Sequence, residues 1–214
     1  MEIEVFEEKR IGRKKNELVQ VNESEYKNEE VKYFSREEYI SLLDSANGFY
    51  KMVYLLFFET GARVEEARSI KFCDVDFSTG KIKINTLKQR NKIKYRILVI
   101  SDSHKSRILQ HKDNNSLGKD DYILTKLPGR NPITQQGLDK ALKADCRDLE
   151  IDILKAHCHT WRHTRAIQLL DSGMDIVKVK MFLGHSNIQN TLIYLRYSNK
   201  DFVRAIIEAN KNIM

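Results

Sequence analysis

Long apolar runs are missing from this sequence. The longest, Met52 to Phe58, is far too short to cross a bilayer, and the acidic start Met1-Glu2-Ile3-Glu4 lacks the basic and apolar regions of a signal peptide. Both absences argue against a membrane-spanning helix or a secreted protein, and the expected location is the cytoplasm. Cysteine is scarce as well. Cys73, Cys146 and Cys158 are odd in number and have no metal-type spacing, which argues against a disulfide framework and a zinc site and leaves three reduced thiols. No internal repeat or low-complexity tract is evident.

Charge is abundant. The 37 Lys and Arg against 30 Asp and Glu give a formal net charge of +7 and a pI of about 9.2, a balance that favours a polyanion such as DNA, RNA or an acidic membrane surface. The basic residues are spread along the chain with a denser group from Lys81 to Arg96, so a basic surface is expected rather than a basic tail. At 214 residues, with 41% hydrophobic and 31% charged residues, the chain suits one folded domain with an arm.

Residues 1–30 are rich in charge, with only the short alternation Leu18-Val19-Gln20-Val21, and read as an N-terminal arm or linker. Ser35-Arg36-Glu37-Glu38 has the form of a capping box and starts the folded core, 31–214. The following helix places Tyr39, Leu42 and Leu43 on one face. Tyr50 to Phe58 is apolar almost all round, as a buried helix is, and Gly61 stops it. A short helix over Val64 to Ile70 turns Ala67 and Ile70 inward. Lys81 to Asn85 alternates with period two and Tyr95 to Ile100 is rich in β-formers, which predicts a hairpin with a basic tip. Helices are expected again over Arg107 to His111, Gln135 to Asp145, Thr160 to Leu170, Ile176 to Leu183 and Asp201 to Asn210. The expected class is α+β, mainly α-helical, with one small antiparallel β-sheet.

Three segments carry groups that bind or transfer protons at a phosphate: Thr60-Gly61-Ala62-Arg63-Val64-Glu65-Glu66, His159-Thr160-Trp161-Arg162-His163, and Leu183-Gly184-His185 followed by Tyr194. His159 and Arg162 are three apart, so on a helix they share a face and can converge on one oxyanion. Arginine suits that task because its planar guanidinium offers paired donors and stays charged. Taken singly, each residue has a plainer reading. Arg63 beside Glu66 is by default a helix-surface ion pair worth less than about 1 kcal/mol. His159, His163 and His185 are by default surface or hydrogen-bonded core histidines. Tyr194, within Leu192-Ile193-Tyr194-Leu195, is by default a packing residue with a satisfied hydroxyl.

Order, spacing and neighbours together reverse those readings, because they resemble the catalytic domain of tyrosine recombinases of the phage integrase and Xer type over roughly residues 33–197. In that resemblance Arg63 is the first arginine, with Glu66 supporting it. His159 and Arg162 form the second box, His185 stands in the Leu-Gly-His turn, and Tyr194 falls where the family places its nucleophile. The family's lysine sits on the hairpin between the boxes in a Gly-Lys-Gly-like context that is absent here. Lys88 is the choice, with Lys92 and Lys94 as alternatives.

The resemblance implies that Tyr194 attacks a scissile phosphate of double-stranded DNA, forming a 3′-phosphotyrosyl bond and releasing a 5′-hydroxyl. Arg63, Arg162 and His185 then donate to the nonbridging oxygens, Lys88 protonates the leaving oxygen, and His159 assists proton transfer. No metal, cofactor or ATP is expected. The implied partners are DNA, other protomers in a homo-oligomer (a tetramer on DNA) and an accessory protein, with no membrane. Relatives carry a helical core-binding domain ahead of the first box, where this sequence has the short arm, so an excised domain or a minimal protein is expected. A single-protomer type IB topoisomerase-like nicking and relaxing enzyme and a noncatalytic DNA-binding regulator are the alternatives.

Overall fold

The computed structural model describes residues 31–86 and 94–198; the arm 1–30, the hairpin tip with Lys88 and Lys92, and the expected helix Asp201 to Asn210 lie outside them. Along the chain run α1 (Arg36–Ser45), α2 (Gly48–Thr60), α3 (Val64–Arg68), β1 (Val75–Asp76), β2 (Lys81–Thr86) and β3 (Lys94–Val99). They are followed by α4 (Asp102–Asn114), α5 (Gln135–Asp148), α6 (Cys158–Asp171), α7 (Ile176–Leu183), α8 (Gln189–Leu192) and a 3-10 turn over Ile193–Arg196. The three strands form one antiparallel sheet in the order β1-β2-β3, with Ile82 opposite Val75 on one side and Leu98 on the other.

Local chemistry sets the helix starts. The Ser35 hydroxyl accepts the Glu38 N–H at 3.2 Å while the Glu38 carboxylate accepts the Ser35 N–H at 2.7 Å, satisfying two donors that the first turn of α1 leaves free. At α2 a single bond does the capping, with Asn47 Oδ1 accepting the Tyr50 N–H at 3.2 Å. Strand β1 is an element that periodicity does not announce, since two residues are below any pattern; its pairing with β2 creates it.

The main core gathers α1 to α5, the sheet and the start of α6 around Trp161, which is fully buried. The Phe34 and Tyr54 rings lie 5.0 and 5.3 Å from it, centroid to centroid, distances at which aromatic pairs contribute about 0.5–1.5 kcal/mol each beyond area burial. A second, smaller cluster joins the rest of α6 to α7 and includes Leu170, Val179, Leu183 and Tyr194. Gly61 marks where the two meet. Its φ of +54° ends α2 in the left-handed region, and a Cβ there would stand 2.9 Å from the Leu183 side chain of α7, so both the turn and the packing require glycine.

Candidate active site

Arg162 is the hub. It sits on the buried side of α6 at 1% exposure, and its guanidinium fork donates to the carbonyl of Gly61, just past α2, and to that of Leu183 at the end of α7, 2.7 Å away. Two carbonyls that cap helix ends thus hold one side chain, which ties all three motif segments together. Burial, and then the neighbouring Arg63, pull its pKa down to about 9, which leaves it charged at neutral pH.

Arg63 occupies the extended N-cap position of α3. Glu66, three residues on, accepts both the Arg63 backbone N–H at 3.0 Å and its guanidinium at 2.9 Å. The sequence suggests a surface ion pair, but Glu66 is 2% exposed and Arg63 27%, so the pair is buried on its carboxylate side. Desolvation acts against the carboxylate charge, yet bonds from Arg96 and Arg63 outweigh it and hold the Glu66 pKa below its usual value.

His185 follows Gly184, which ends α7 with φ +67°. The His185 Nδ1 lies 2.9 Å from the Thr191 hydroxyl. Burial, Arg162 and Arg63 in that order drive its pKa to about 3, so the ring is neutral at neutral pH. A neutral imidazole still donates to a phosphate through Nε2–H, provided that the Thr191 hydroxyl donates to Nδ1.

Tyr194 is 2% exposed and packs in the smaller cluster. Its hydroxyl stands 2.9 Å from Nδ1 of His163. Burial raises its pKa, against the pull of Arg162 and Arg63. The plain reading of a packed tyrosine with a satisfied hydroxyl thus describes this conformation, while the electrostatic reach of both arginines puts the phenol within the same cluster.

His159 and Arg162 do not share one environment as their spacing suggests. His159 is exposed at the start of α6, whereas Arg162 is turned into the carbonyls. The His159 ring meets His163 edge-on at 4.5 Å, and His163 in turn meets Tyr194. Burial, with His159 next, lowers the His163 pKa to about 3. Lys88 and Lys92 lie outside the described residues.

Two members of the site escaped the sequence reading. The sequence pattern gives His163 no role; only the fold reveals its contact with Tyr194. Arg96 donates to Glu66 at 2.9 Å from β3, and a signal for it existed. In the alternation of β3, Arg96 falls in phase with Leu98 and Ile100 on the inner side, opposite exposed Tyr95, Ile97 and Val99. A charged residue on the buried phase of a strand needs a buried partner. Among the described residues all three cysteines are free thiols, and burial pushes the thiol of Cys146 up to about 11.

A mainly helical domain with this small antiparallel sheet is the fold of tyrosine recombinase catalytic domains. The profile of the phage integrase family matches residues 32–201, and the chain belongs to that family. The tyrosine recombinase XerC of Staphylococcus epidermidis is 29% identical over 163 residues, covering 75% of this chain and 53% of the relative. The chain therefore spans about half the length of the curated relatives it matches. Among solved structures, the XerH site-specific recombinase bound to a palindromic difH substrate after cleavage superposes with a TM-score of 0.70 at 21% identity, over 82% of this chain and 52% of that one. The catalytic domain of bacteriophage HP1 integrase superposes with a TM-score of 0.59 at 24% identity, over 83% of this chain and 94% of that one.

Proposed function

We propose that this chain is the catalytic unit of a site-specific DNA recombinase, with Tyr194 as its nucleophile. The observation that carries the reading is the fork of Arg162, which binds the Gly61 and Leu183 carbonyls and so draws Arg63 and His185 to one place. Family membership supplies the reaction class.

In the proposed reaction the Tyr194 oxygen attacks the scissile phosphorus, its phenolic proton passes to solvent, and the P–O bond to the 5′-oxygen breaks as that oxygen is protonated. Lys88 is assigned the protonation, and His159 assists proton transfer. Arg63, Arg162 and His185 donate to the nonbridging oxygens, where donors act most strongly as charge gathers in the transition state. A 5′-hydroxyl from another strand reverses the attack, since the bond energy is retained in the phosphotyrosine. A residue 2% exposed cannot meet a DNA backbone. Cleavage thus requires the Ile193–Arg196 turn to release Tyr194 from His163. Double-stranded DNA is the proposed partner, in the cytoplasm, with a homotetramer and an accessory protein completing recombination.

The test is incubation with a nicked suicide DNA substrate followed by a denaturing gel. A covalent protein–DNA adduct that disappears in Tyr194→Phe is expected. An adduct that survives Tyr194→Phe and is lost in Tyr197→Phe would move the nucleophile. Single Ala exchanges of Lys88, Lys92 and Lys94 locate the general acid, and equal, mild losses in all three would refute Lys88.

A further inference from the structure

Arg96 has a part that none of the motif segments assigns. Its side chain is 9% exposed, and Nη2 donates to Oε2 of Glu66 at 2.9 Å, while Oε1 of the same carboxylate accepts from Nη1 of Arg63 at 2.9 Å. Nε and Nη1 of Arg96 are buried and find no hydrogen-bond partner among the described residues. The guanidinium rests instead against Gly184, where a Cβ would stand 3.2 Å from Nη1, next to His185. The Arg96 charge is felt by both Arg162 and His185. A buried guanidinium with one carboxylate oxygen for company costs stability, because desolvating it and leaving its donors idle both oppose folding, so what it brings to the site is its charge.

We propose that Arg96 is a positioning residue of the phosphate site, which holds Oε2 of Glu66 together with the Arg63 backbone N–H, so that this carboxylate grips the Arg63 guanidinium through Oε1 only and leaves Arg63 charge and a free edge for the scissile phosphate. This rests on the DNA-cleaving role proposed above. Arg63, Arg96 and Arg162 bring three positive charges and Glu66 one negative charge, so the cluster holds +3 − 1 = +2. A phosphodiester carries one negative charge, and its pentacovalent transition state approaches two. The cluster thus matches the transition state better than the ground state, and such a difference accelerates chemistry rather than binding. Without Arg96 the sum falls to +1, and Oε2, held by the Arg63 backbone N–H alone, is free to turn toward the Arg63 guanidinium, where a bidentate pair is the geometry that arginine and carboxylate favour.

The test measures DNA affinity and the single-turnover rate of adduct formation for Arg96→Met and Arg96→Lys. Two suicide substrates are used, one with an ordinary scissile phosphate and one with a neutral methylphosphonate there. Arg96→Met is expected to keep its affinity within about threefold and to cleave the ordinary substrate about 100-fold more slowly, the scale of one lost transition-state donor. On the methylphosphonate, which builds up less charge, the loss shrinks below about tenfold. Arg96→Lys keeps the charge and recovers part of the rate. Equal losses on both substrates, a loss confined to affinity, or unchanged cleavage each overturns the proposal. Thermal unfolding monitors folding, and if Arg96→Met does not fold, the same comparison of substrates with Arg96→Lys decides. A wild-type protein that forms no adduct overturns the cleavage role and this proposal with it, whereas a wild-type adduct with unaffected Arg96→Met removes this proposal alone.

Discussion

The Tyr194 hydroxyl and His163 Nδ1, 2.9 Å apart, describe a neutral phenol held beside a neutral imidazole. Burial keeps His163 and His185 unprotonated, with pKa values near 3 against an ordinary 6.5. Above pH 6.5 both rings are neutral whether the chain is folded or not, so their full contribution to stability is present there. As pH falls from 6.5 toward 3, the unfolded chain takes up protons that the folded one refuses, and stability drops. The expected loss approaches about 1 kcal/mol per pH unit for His163 and less for His185, which is more open to solvent screening. Urea unfolding at pH 7, 6 and 5 measures it, and His163→Phe should flatten the slope; an unchanged slope would mean that His163 is not held neutral by the fold. Glu66→Gln makes a second prediction. Removing the carboxylate charge leaves the largely buried Arg96 and the partly exposed Arg63 without their shared counter-charge, and a loss of about 3 kcal/mol in unfolding free energy, the low end for a broken buried pair, is expected. A loss under about 1 kcal/mol would show that Glu66 behaves as a surface ion pair.

Helix ends, more than helix faces, build the site. The α2 and α7 helices both stop on left-handed glycines, and the carbonyl of Gly61 and that of Leu183, immediately before Gly184, are the acceptors for Arg162. Gly61→Ala meets both a positive φ and the Leu183 side chain, and a destabilisation of about 2–3 kcal/mol is expected in chemical denaturation. Gly184→Ala adds a Cβ beside the Arg96 guanidinium, so it should reduce adduct formation more than stability; the reverse order would detach Gly184 from the site. At the other end of the fold, Ser35→Ala removes one half of a capping box and should lower stability by only about 1 kcal/mol with cleavage unchanged. The sheet contributes through phase: β3 directs Arg96 inward while Tyr95, Ile97 and Val99 face solvent.

At the level of the whole molecule, the net charge of +7 and the solvent-facing Lys81 and Lys83 of β2 favour a polyanionic backbone. The logarithm of DNA affinity should therefore fall linearly with the logarithm of salt concentration, with a slope of about −0.9 for each phosphate neutralised. A titration with no salt dependence would argue against phosphate contacts. No helix among the described residues is long and apolar enough to cross a membrane.

Much of this protein is determined locally and so was legible in its residues. The capping box at Ser35, the glycine stop at Gly61 and the period-two strands of the hairpin depend on neighbours a few positions apart, and the structure keeps them. The candidate site was legible as a set of residues, and less so as an arrangement. Arg162 finds its acceptors 101 and 21 residues away, and Glu66 finds Arg96 30 residues away. Spacing along one helix could not foresee that Arg162 turns inward while His159 stays exposed, nor that Tyr194 rests on His163. Those outcomes follow from tertiary packing, because desolvation and the sharing of one carboxylate between two guanidiniums arise only when distant segments close over the same small volume.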